Sequence, residues 1–290
     1  MTAAFLLVLK ACVVALLCAI GSGSTPADLT YLLRRPALLL RSLFAMYVAI
    51  PLAALAIVQT LPLPPVVRTA ILVLAISAGA PLLPRKLMTL GREGYVFSLV
   101  VLSSLLAVVA VPAWLVVLGP YFVRDSEVGP RAVGLLVAKA ALAPIFAGML
   151  LRPLLGGRAE RVSEWVLKVV GGVLVIAGIA LLALNVRLLI AAGWVALFTL
   201  AGFTAVALGI GHALGGPDRE DRTALAVSCA TRQVGIAMLA ASAVPNPRTV
   251  AFVLAYLLSA AVVTIPYLKW RARPAQAGAP VPEDRSPRRH

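Results

Sequence analysis

The stretch A-I-S-A-G-A-P-L-L-P-R-K-L, Ala75 to Leu87, decides the fold together with a second, A-V-S-C-A-T-R-Q-V-G-I-A-M-L-A, Ala226 to Ala240. Both interrupt long apolar runs that would otherwise read as smooth helices. In the first, Gly79, Pro81 and Pro84 fall within six residues, and each proline removes an amide donor and clashes with the preceding turn. In the second, Thr231, Arg232, Gln233 and Gly235 stand where lipid-facing side chains belong. Polar groups at that depth need a partner or a cavity.

Working outward, the chain has 290 residues, 61% hydrophobic and 13% charged, with mean hydropathy +1.00. A soluble chain is about one quarter charged, so a soluble protein is excluded. Apolar runs of about twenty residues match the roughly 30 Å hydrocarbon core of a bilayer. Nine segments follow, near residues 4–22, 37–60, 65–90, 95–118, 130–151, 163–184, 189–213, 222–244 and 248–269. The first is read as a retained span rather than a signal peptide, because no cation precedes it and Lys10 interrupts it. Arg152 to Glu164 reads as a short cationic stretch on the cytoplasmic surface.

The net charge of +15 reflects topology rather than a nucleic-acid partner. With the N-terminus outside, eighteen Lys and Arg fall in cytoplasmic loops and the tail, five outside, and Lys10, Lys139 and Arg232 within spans, a positive-inside bias. The expected location is the bacterial inner membrane, with a cytoplasmic C-terminus. All eleven Asp and Glu fall in loops, at span ends or in the tail, so a mid-membrane carboxylate relay is not expected. Cys12, Cys18 and Cys229 lie in apolar runs with no metal-ligand spacing, and neither a disulfide framework nor a metal cluster is expected. No Gly-x-Ser-x-Gly, Walker loop or His-x-x-x-His occurs, leaving an intramembrane enzyme without a nucleophile or metal.

Spans one to four and six to nine, separated by an odd fifth span, have opposite orientations and read as inverted repeats. The breaks fall in the third span of each. Paired interruptions at matching positions of inverted halves point to a transporter site, since freed backbone groups face substrate only where they line a cavity. The expected division is 1–118 for the first repeat, 119–162 for the connecting span and surface segment, 163–270 for the second repeat, and 271–290 for a disordered basic tail. The breaks share A-[IV]-S at Ala75 to Ser77 and Ala226 to Ser228. Gly171-Gly172 reads as a helix-packing contact, and His212 as interfacial. Arg85 and Lys86 either mark the end of the third span or face the pathway.

At these breaks the chain resembles the bile acid:sodium symporter family. T-P-A-D-L-T-Y-L-L-R-R-P at 25–36, Pro51 in the following helix, Ser77 to Pro84, and L-S-S-L-L-A-V-V-A-V-P at 102–112 occur in the family's order and spacing. The resemblance implies an all-α polytopic fold with two crossing discontinuous helices in a core domain, a separate panel domain, and alternating access between them. It also exposes departures. The family's sodium-binding Glu falls on Thr231, its Gln-Asn on Gly235 and Ile236, its Ser-Asn within Leu82 to Pro84, the Gln of the preceding helix on Met46, and its hydroxyl ligands among Val96 to Val101. Both sodium sites are dismantled in this alignment.

The expected function is a secondary transporter of a small organic anion by alternating access, with no cofactor and no need of sodium. Half-helix N-termini and nearby cations would make its midplane site electropositive. Expected substrate-binding residues are Arg232, Gln233, Thr231, Ser77, Ser228 and Lys86, with helix breaks at Gly79, Pro81, Pro84 and Gly235. Arg232 would stand in for the missing cation, either taking a bidentate carboxylate or sulfonate or bracing the crossing through carbonyls. The alternatives are a symporter that holds sodium through carbonyls and Thr231, and a non-transporting scaffold or sensor. Substrate identity, transport direction and oligomeric state are not readable from the sequence.

Overall fold

The computed structural model describes residues 3–23, 31–77, 79, 93–118, 130–184, 186–232, 237 and 248–272. Among them the regular structure is helical apart from one isolated β-bridge. The main helices are α1 (Ala3–Gly23), α2 (Pro36–Thr60), α3 (Pro65–Ile76), α4 (Glu93–Leu118), α5 (Pro130–Leu155), α6 (Ala159–Leu184), α7 (Val186–Leu214), α8 (Arg219–Ala230) and α9 (Arg248–Ala272). Each falls on one of the nine expected apolar segments. Pro81, Pro84, Lys86, Gln233, Gly235 and the tail beyond Ala272 lie outside the described residues.

The supposed surface stretch from Arg152 to Glu164 is taken up by helix ends. α5 runs to Leu155, a 3-10 turn covers Gly156–Arg158, and α6 begins at Ala159. Gly156 makes the corner with φ of +52°, a left-handed conformation that costs glycine little. Arg152 then reaches the Ser22 carbonyl at 3.1 Å and Glu160 at 3.4 Å, tying α5 and α6 to the end of α1.

α1 packs against α5 and α6, and α2, α3, α4, α7, α8 and α9 pack among themselves as a second group, with α4 also against α5 and α9 against α6. The α1–α5 seam depends on glycine. A Cβ on Gly21 would lie 2.1 Å from the Ile145 carbonyl oxygen, and one on Gly148 2.0 Å from that of Cys18, the close backbone approach that small residues permit in membranes. At Gly171-Gly172, read as a packing contact, a Cβ on either meets nothing within 4 Å among the described residues. Sequence shows which residues are small, but not which face of the helix meets a neighbour.

α2 and Trp194–Leu214 are long and apolar enough to cross a membrane. Leu154 (82%), Trp194 (77%) and Phe198 (72%) are largely exposed, apolar surface that suits lipid contact. At one end of the second group, Arg35 pairs with Asp221 at 3.4 Å and Asp218 at 3.8 Å. Nearby, Arg219 and Arg271 each donate to the other's backbone carbonyl, at 2.8 and 2.6 Å. His212 hydrogen-bonds Tyr267 at 2.8 Å and stacks near Trp270. The segments before α2, between α7 and α8, and at the end of α9 therefore lie together. Asp221 is buried, which its position at a span end did not announce.

Candidate functional site

α3 and α8 are helices of twelve residues each. Ala70 to Ser77 and Thr223 to Ala230 are buried without exception, so protein surrounds both segments on every face, the pattern of a core helix. Both ends close in the same way. Ser77 turns extended and its hydroxyl donates to the Leu74 carbonyl at 2.7 Å. Thr231 also turns extended, and its hydroxyl donates to Val227 at 2.7 Å. Ser77 thus matches Thr231 rather than Ser228, which sits inside α8. The shared A-[IV]-S is out of structural register by three residues.

Beyond these ends Gly79 and Arg232 pair in the antiparallel bridge, so the two breaks meet. The meeting point has no room for a side chain on Gly79, where a Cβ would lie 2.6 Å from the Ser228 carbonyl oxygen and 2.7 Å from Met46 Cε. Ser103 Oγ reaches the Gly79 carbonyl at 3.5 Å. Tyr256 of α9 donates to the Ala230 carbonyl, and Tyr47 of α2 to that of Ser103.

Arg232 is 1% exposed. Its Nη2 donates to the Ala75 carbonyl at 2.6 Å and to that of Met46 at 3.2 Å. Both acceptors are free for identifiable reasons. Ala75 is in the last turn of α3, where carbonyls lack helical partners. Met46 lies in a π-turn, Ala45–Ala49, where the Ile50 amide reaches back five residues to Ala45. The next amide position is Pro51, which has no N–H. The proline and the turn together leave the Met46 carbonyl without a backbone donor, and π-turns of this kind often occur at functional sites. Trp114 Nε1 takes the neighbouring Tyr47 carbonyl at 2.8 Å.

The electrostatic expectation rested on half-helix N-termini, which lie outside the described residues. The described helices α3 and α8 reach the crossing with their C-terminal ends, which carry negative partial charge. The bidentate expectation meets a guanidinium that is already engaged. Nη2 belongs to both two-donor edges of a guanidinium, and here it is committed to carbonyls. Nε and Nη1, with no partner among the described residues, remain as separate donors. Ser228 Oγ is likewise buried and unpartnered, whereas Ser77 and Thr231 spend their protons closing their own helix ends. The backbone carbonyls, Tyr47, Trp114 and Tyr256 were missed by sequence reasoning; Pro51 was the available signal for the first.

A cavity of about 280 Å³ lies elsewhere, lined by Arg35, Arg41, Gly215, Gly216, Pro217 and Asp218 among others. It opens at the charged end, separated from Arg232 by the length of α8, roughly 18 Å at 1.5 Å per residue.

A helical protein with two broken segments joined at their breaks and an apolar exterior is a membrane protein of the transporter class. The sequence pattern of the sodium bile acid symporter family matches residues 11–209, and the chain belongs to that family. Its members are transporters and not enzymes. Among curated proteins none matches the chain. At the described crossing the Ala75 and Met46 carbonyls are taken by Arg232 Nη2, while the aligned positions Leu82 to Pro84, Gly235 and Ile236 lie outside the described residues.

Proposed function

We propose that the protein is a secondary carrier for a small organic anion in the bacterial inner membrane, working by alternating access. The observation that carries this is Arg232, a buried cation with two nitrogens unpartnered among the described residues, four positions after Ser228, whose hydroxyl is likewise unpartnered among them. Buried donors left unpaired cost about 1–3 kcal/mol each, a cost that an anion with oxygen acceptors removes. The contact pattern supports inverted repeats: α2 with α3 parallels α7 with α8, α3 with α4 parallels α8 with α9, and α3 with α9 parallels α8 with α4. In this reading α1, α5 and α6 form the panel against which the other six helices move, and Gln233 and Lys86 complete the site with Arg232 and Ser228.

The second reading, Arg232 as a brace alone, is favoured by its two carbonyl contacts. Arg232→Lys separates them, with pyruvate, benzoate and taurocholate as probes in thermal-shift titrations. Anion recognition predicts that at least one probe stabilises the wild type and that Lys weakens it at least tenfold in a folded protein. A brace predicts lower stability of the variant with or without probe. Wild-type stability and probe response in Arg232→Lys would defeat both.

The proposed orientation places the N-terminus outside, which keeps Arg35, Arg219, Arg222 and Arg271 on the cytoplasmic side. Alkaline phosphatase and fluorescent-protein fusions to the two ends should report opposite compartments, and readout from one side would remove the nine-span topology.

A further inference from the structure

We propose that Arg232 is the resident cation of the crossing. Its guanidinium fills a monovalent-cation site built from two helix C-termini and a freed carbonyl, and removing the side chain opens that site to a free cation. The charge balance is the first argument. Each helix C-terminus carries roughly half a negative charge, and α3 and α8 both end here. Two such ends offset about one positive charge. No acid competes for the role: the sequence has no Asp or Glu from Leu29 to Arg92 or from Arg222 to Pro282, which covers both broken spans whole.

The second argument is the ligand set. The Ala75 carbonyl at 2.6 Å and the Met46 carbonyl at 3.2 Å are oxygen donors of the kind that hard cations take. Unwound carbonyls and half-helix C-termini are how carriers of this architecture hold monovalent ions. Here one nitrogen of a tethered cation takes both.

The consequence concerns energy. An ion gradient drives a carrier only if the ion binds on one side and leaves on the other, and a covalently held cation does neither. The protein then moves its substrate without sodium coupling at this site. That consequence rests on the carrier reading, whereas the cation site itself is tested by stability alone, with no substrate present.

The experiment follows thermal unfolding of wild type, Arg232→Ala and Arg232→Lys in lipid nanodiscs, titrating guanidinium chloride or sodium chloride against choline chloride at constant ionic strength. Guanidinium is used up to concentrations on the order of 10 mM, far below denaturing ones. Arg232→Ala should melt lower than wild type and recover about half of the loss with saturating guanidinium, through binding to the folded state alone. Wild type and Arg232→Lys, whose site keeps its own cation, should show no saturable response to either ion. A saturable sodium response in wild type, or a folded Arg232→Ala that ignores guanidinium, overturns the proposal. If Arg232→Ala does not fold, the sodium titration of wild type and the guanidinium titration of Arg232→Lys decide, because a saturable response in either defeats it and none in both upholds it. Anion binding to wild type is read separately, so the carrier reading can fail while this one stands.

Discussion

Gly79→Ala is expected to destabilise the protein by about 3 kcal/mol, the upper part of the range for overpacking. The added methyl carbon would lie 2.6 Å from the Ser228 carbonyl oxygen and 2.7 Å from Met46 Cε. A methionine tip can swing away, but a carbonyl inside α8 cannot move without shifting its helix. The strain falls on the bridge to Arg232 and on the guanidinium contacts it positions. Gly171→Ala is the control, since its Cβ meets nothing within 4 Å and alanine improves a helix interior by up to about 1 kcal/mol. Adding Met46→Ala to Gly79→Ala should restore only part of the loss, because the Ser228 contact persists. Thermal unfolding in nanodiscs checks all three, and wild-type stability in Gly79→Ala would show that the breaks do not meet as described.

Pro51→Ala is the second large effect, and it separates local helix stability from the site. Alanine supplies an amide proton that the Met46 or Tyr47 carbonyl can accept, which favours regular helix through 45–52. An interior proline costs a helix about 3 kcal/mol, so α2 itself gains. Arg232 then competes with a backbone donor for one of its two acceptors, or Trp114 for its only described one. Losing a charge-assisted hydrogen bond costs about 1.5–3 kcal/mol. The expected result is that Arg232→Met costs clearly less stability in the Pro51→Ala background than in wild type, a coupling read by a double-mutant cycle. Additive effects would mean that Pro51 and Arg232 act independently.

Much of the scaffold was legible because bilayer thickness sets the length of an apolar run, and nine runs became nine described helices. The break positions were legible as well, since Gly79 and the polar run from Thr231 violate the pattern of a smooth span. Packing was less so. Gly21 and Gly148 carry the α1–α5 seam, while a Cβ on Gly171 or Gly172 would meet nothing within 4 Å among the described residues, although all four look alike in sequence. The shared A-[IV]-S gives no structural register, because three shared letters do not say where a helix ends.

By itself, the sequence determined that the chain is a polytopic membrane protein, that two apolar runs are interrupted, and that a lone arginine stands in one of them with no acid to neutralise it. Those conclusions rest on composition and period, which every residue carries locally. Only the tertiary structure decided what neutralises that arginine. Every residue has the same carbonyl, and whether it is free depends on which amides its neighbours have already spent. Pro51, the π-turn and the end of α3 leave the Met46 and Ala75 carbonyls free, from positions 186 and 157 residues away from Arg232 in the chain.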